Sequence, residues 1–141
     1  MLKKISRSAL LAVPFLSMLA AGSASAGLAV PQWYHGWWDC NIDGRPAKMV
    51  WQVVDDPQTH CDGDTCTSTS GVKTVGWFSD NNGPWVHLGI NSTTGHLLNI
   101  RYLGQEPDNW YLVHNPGNDT ATGQTTWRGH SYSLSCTNHR K

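Results

Sequence analysis

Asp43-Gly44 is the dipeptide that most narrows what this chain can fold into. Both central positions of a type I′ turn need positive φ, and Asp-Gly supplies them, so the flanking residues are expected to pair as a two-residue hairpin. That pairing sets Cys40 opposite Ala47, Trp38 opposite Met49, Gly36 opposite Trp51 and Tyr34 opposite Val53. The other face then carries Asp39 against Lys48, His35 against Gln52 and Trp37 against Val50. One face is almost wholly apolar and the other holds an opposite-charge pair. A one-residue slip would scramble both, so the register is strongly specified. Gly36 opposite Trp51 reads as a place where a large ring lies across a bare backbone.

Arg128-Gly129 behaves the same way near the end of the chain. It pairs Thr125 with Tyr132, Gly123 with Leu134 and Ala121 with Cys136. Cys136 then lies on the apolar face of the last strand, as Cys40 does in the first. Between these hairpins, short alternating runs are separated by Gly, Asn, Asp and Pro, and no stretch shows helical periodicity. Eight strands are predicted, at 33–42, 46–54, 72–79, 85–90, 96–103, 109–114, 121–128 and 130–136. The expected fold is all-β, an antiparallel up-and-down meander closing into a barrel. A two-sheet sandwich would also bring the termini together. Segment 55–71, rich in Asp, Ser and Thr, is expected to be an excursion at one end.

The first 26 residues read as a secretory signal peptide. Lys3, Lys4 and Arg7 precede an apolar run from 9 to 21, and Ala24-Ser25-Ala26 supplies small residues for cleavage. The run is too short for a bilayer of about 30 Å and contains Pro14, which argues against an anchor. One domain is expected, over 27–141, secreted or periplasmic. The chain has ten Lys and Arg and ten Asp and Glu, so losing the three leader cations leaves a net charge of −3. That balance speaks against nucleic acid or an anionic membrane as partner, since both need a clustered positive field.

Export makes the four cysteines legible as disulfides. Three pairings are possible; Cys61–Cys66 as a local clamp and Cys40–Cys136 as a long tie are favoured, because a closed sheet makes the first and last strands neighbours. A zinc site competes poorly, for want of a second close Cys pair. His60-Cys61-Asp62-Gly63-Asp64-Thr65-Cys66 offers oxygen ligands without the spacing of a calcium loop, and a cystine-closed turn explains it more simply. The seven His fall on no shared strand face, and no metal or cofactor is expected.

Eight Trp are the most unusual feature of the composition. Trp38 and Trp51 belong to the apolar face and are expected to fill the core. The register puts Trp33 and Trp37 on the opposite face beside His35. With Trp85 these are the candidate binding residues: Trp33, His35, Trp37 and Trp85. No nucleophile elbow, zinc-protease helix or phosphate loop is present. Glu106 is the only Glu, and Asp39, mid-strand, faces Lys48. A paired-carboxylate hydrolase is therefore not expected, and neither is any other enzyme.

The stretches WYHGWWDCNIDGRPAKMVWQVV (33–54) and STSGVKTVGWFSDNNGPW (68–85), with DNWYL, TATGQTTWRG and LSC within 108–136, carry a resemblance. Together they resemble a family of small secreted bacterial proteins, met mainly in cyanobacteria, that has no assigned function. The resemblance implies export and a shared cystine framework, and passes on no site residue. The Gly36-Trp37-Trp38 strand and the Trp-rich meander are similar in architecture to avidin-like and lipocalin-like barrels, a shape also found in secreted metalloprotease inhibitors; such barrels host unrelated functions. The leading expectation is a non-catalytic binding module using aromatic side chains, with a carbohydrate or flat apolar ligand as partner. The alternatives are a protease inhibitor acting through residues 27–32 and an envelope protein self-associating through Trp33 and Trp37.

Overall fold

A computed structural model describes residues 30–139. The expected leader (1–26) and the start of the expected arm (27–29) lie outside these residues. Ten strands follow in order: β1 Gly36–Ile42, β2 Arg45–Asp55, β3 Gln58–Asp62, β4 Thr65–Thr69, β5 Val72–Asp80, β6 Val86–Thr94, β7 Leu97–Tyr102, β8 Asp108–Asn115, β9 Thr120–Trp127 and β10 His130–Asn138. Eight of them close an antiparallel barrel in the order β1-β10-β9-β8-β7-β6-β5-β2. β3 and β4 form a separate two-stranded ribbon across the 55–71 segment. There Cys61 pairs with Cys66 within the ladder and is disulfide-bonded to it.

Both hairpin registers are those the turns dictate. Gly36 faces Trp51, Trp38 faces Met49 and Cys40 faces Ala47; Tyr132 faces Thr125, Leu134 faces Gly123 and Cys136 faces Ala121. Asp43 and Gly44, like Arg128 and Gly129, have positive φ at both positions. β1 and β10 then meet with Cys40 opposite Cys136, and the Cys40–Cys136 disulfide crosses that seam. Two disulfides in so small a domain suit an oxidising compartment.

Several details depart from the sequence reading. The Trp51 ring lies over Gly76, its partner on β5, where an added Cβ would come within 2.3 Å of the ring. Gly36 does another job: at φ +110 it adopts a backbone that side-chain-bearing residues avoid. The β1–β2 ladder ends there, so Tyr34 and Val53 do not pair. Asp39, though beside Lys48 in the ladder, has its carboxylate against Nε2 of His139.

The middle of the barrel is solid. Trp38, Trp51, Met49, Leu98, Ile100, Leu112 and Leu134 are fully buried there. Strands that alternate in and out put one side chain of every two into this core. The two ends differ. At one end the chain before β1 folds inward; at the other, the turns 43–44, 103–107 and 128–129 surround an open mouth.

Candidate binding site at the open mouth

The mouth is a recess of about 350 Å³. Its walls follow from strand parity: Arg45, Asp80, Tyr102, Trp127 and Tyr132 are the inward residues at the same end of β2, β5, β7, β9 and β10. Trp110, one layer down and only 6% exposed, is part of the floor. Its indole N–H donates to the Thr126 carbonyl at 3.1 Å, which satisfies the polar atom and leaves the ring faces for packing. Tyr102 stacks on Trp110 at 4.7 Å between ring centroids and 19° between planes. Phe78 meets Trp110 edge-on at 5.0 Å, and Trp127 meets Tyr102 edge-on at 6.5 Å. Trp127 stands at the rim, 37% exposed.

One charged pair interrupts this apolar lining. Arg45 Nε and Nη2 donate to the two carboxylate oxygens of Asp80 at 2.8 and 2.9 Å. The hydrogen bond to Asp80 raises the Arg45 pKa, so the guanidinium stays charged. Burial raises that of the Tyr102 phenol, which therefore stays neutral. Beside the mouth, Asp108 is held below the usual carboxylate range by the Thr126 hydroxyl and then by the Asn109 N–H. The recess thus combines flat ring faces with a polar handle at its edge, the combination that holds and orients a small ligand.

The four residues expected to bind lie elsewhere and do not form one group. Trp37 and Trp85 come together on the barrel's outer wall, 50% and 43% exposed and edge-to-face at 5.8 Å. Val50, Trp37's partner on β2, is only 4% exposed although it points outward. Trp77 and His87 extend the row across β5 and β6, their rings 3.5 Å apart. Trp33 belongs to the other end. It precedes β1, and the positive φ of Gly36 breaks the alternation that would have placed it beside Trp37. Its ring packs edge-on against Tyr34 and Trp38 and stacks on His114. His35 turns to β5, its Nε2 3.2 Å from Thr74 Oγ1, and burial lowers its pKa.

Tyr102, Trp110, Trp127 and Tyr132 were missed as a group, although a signal for them existed. Each lies on the inward parity of its strand, and Tyr102, Trp127 and Tyr132 all adjoin turns at one end. Among the described residues no group of three or more His, Cys, Asp or Glu is placed to hold a metal ion. No helix among them is long and apolar enough to cross a membrane. A family model described as a family of unknown function matches residues 2–139. No curated protein and no solved structure matches the chain.

Proposed function

Since the chain belongs to this family of unknown function, DUF6006, we propose from the site itself that it is an exported, non-catalytic binding module taking a sugar or a flat apolar ligand in the mouth recess. The observation that carries the reading is the stacked Tyr102–Trp110 pair, with Trp127 at its rim, in the open end of an otherwise filled barrel. A sugar ring laid on Trp127 would bury its apolar face while its hydroxyls reach Arg45 and Asp80. The two disulfides and the signal-like start of the chain support export.

The test is a titration of mono- and oligosaccharides and flat aromatic compounds followed by Trp emission. Binding is expected to shift the emission of the wild type. Trp127→Ala should weaken it by tenfold or more, the roughly 2 kcal/mol loss of a Trp hot spot. Trp37→Ser, on the outer wall, should leave it unchanged. A panel in which nothing binds, or a Trp127→Ala protein that binds equally well, rejects the reading. Exposure of the Trp37–Trp85 pair favours a second one, self-association through the outer wall. It requires a dimer in sedimentation that Trp37→Ser dissolves.

A further inference from the structure

Thr125 lies one inward step below Trp127 on β9 and opposite Tyr132 on β10. It is 3% exposed and lines the recess, so the little surface it keeps is turned to whatever the recess holds. Its hydroxyl has no hydrogen-bond partner among the described residues, and neither have the phenols of Tyr102 and Tyr132 in the same lining. Covering such a hydroxyl with an apolar surface costs about 1–3 kcal/mol, which a ligand hydroxyl avoids. The Arg45–Asp80 pair makes the same demand. Arg45 spends Nε and Nη2 on Asp80, which leaves its Nη1 donors over, and each Asp80 oxygen keeps a second lone pair. The lining therefore offers donors and acceptors together, which a hydroxyl can match and a flat apolar compound cannot.

Charge and depth narrow the ligand further. Arg45 is matched by Asp80, and Arg128, on the turn beside the mouth, is matched by Glu106. An acidic ligand reaching Arg45 would meet the Asp80 carboxylate first, and like charges brought together without water are costly. The recess is also blind: Trp110 and the filled core close it below, and five strands supply its walls. A sugar unit that reaches Thr125 has come in end-on, because an internal unit carries neighbours on both sides and stops at the rim. We propose that the recess takes a neutral sugar, free or as the terminal unit of a chain, with one ring hydroxyl on Thr125 and others on the Arg45–Asp80 pair. This rests on the reading of the recess as a binding site and decides between the two ligand classes left there.

Calorimetry on disulfide-intact protein is run with methyl glycosides of neutral hexoses, the corresponding hexuronates, neutral oligosaccharides of increasing length, and the planar compounds indole and naphthol. Neutral glycosides are expected to bind, hexuronates to be refused, and affinity per chain to stay level as the chain grows. Thr125→Val keeps the branched shape and should weaken the glycosides by about tenfold or more while planar compounds bind no worse. Asp80→Asn removes the opposing charge and should admit hexuronates, a gain that does not depend on the Thr125→Val protein folding. Planar compounds binding without any sugar would keep the recess as a site and overturn the sugar. Glycosides held equally by Thr125→Val, hexuronates bound by the wild type or still refused by Asp80→Asn, or affinity that climbs with each added unit would overturn it as well. No binding by any probe rejects the recess itself.

Discussion

A methyl group at position 76 would sit 2.3 Å from Cζ3 of Trp51, a ring that is itself fully buried. The ring cannot move aside without displacing the rest of the filled core, so Gly76→Ala is expected to destabilise the protein by about 1–3 kcal/mol, the usual range for overpacking. A chemical-denaturation midpoint unchanged by Gly76→Ala would show that the ring has somewhere to go. His35 poses a different problem at the same scale. Its Nδ1 accepts the Gln32 N–H at 3.2 Å, which requires that nitrogen to be unprotonated. Burial lowers its folded pKa below 6.5, so as pH falls the unfolded chain takes up the proton first. Stability present above the unfolded value is therefore lost as pH falls through the folded one. In His35→Gln, which keeps a side-chain acceptor, that part of the pH slope should vanish; denaturation midpoints measured across this window would reveal an unchanged slope if the idea is wrong.

Among the elements, those joined by two-residue turns were the most legible. Asp43-Gly44 and Arg128-Gly129 each impose φ signs that leave one register, and alternation then settles which side chains go inside. Where such a turn was missing, the reading ran short. β6 continues to Thr94 past a register shift between Ile90 and Ser92, which period-two reasoning does not foresee. The 55–71 segment has no apolar alternation to read, and its ribbon is exposed along its whole length. The Cys61–Cys66 bond and the Thr59–Ser68 contact at 3.0 Å hold it, with Asp56 tied at its base to Gly71 and Lys73. Because the ribbon lends no side chain to the barrel core, replacing both cysteines by serine is expected to cost at most about 2 kcal/mol. Amide exchange should speed up within residues 58–69 and stay slow in β1, β2 and β5. Loss of protection across the whole barrel would mean that the ribbon and the barrel unfold together.

The whole molecule has two unlike ends, and that polarity was hidden from a strand-by-strand reading. Parity along each strand tells inside from outside, but only the closed order of strands tells which inward residues share a layer. Tyr102, Trp127 and Tyr132 are scattered in sequence and become neighbours only once β7, β9 and β10 curve into one wall. Trp33 misled for the converse reason: the positive φ at Gly36 interrupts the alternation that would have put it on the outer face beside Trp37. Closure itself rests on the seam between β1 and β10, which joins the two ends of the meander and carries the Cys40–Cys136 bond across a sequence separation of 96. Chain entropy for a loop of that size gives an upper value near 5 kcal/mol, and native disulfides in small secreted domains are typically worth about 2–5 kcal/mol. Replacing both cysteines by alanine should therefore lower the melting temperature far more than removing the ribbon's bond. It should also leave the two seam strands able to part. An opened seam presents two unpaired edges, so the variant is expected to aggregate on heating where the parent refolds. Light scattering during melting, compared between the two double variants, separates a seam that holds the cylinder shut from one that is merely decorated by a disulfide. Equal losses of melting temperature in the two would show that the sheet closes without it.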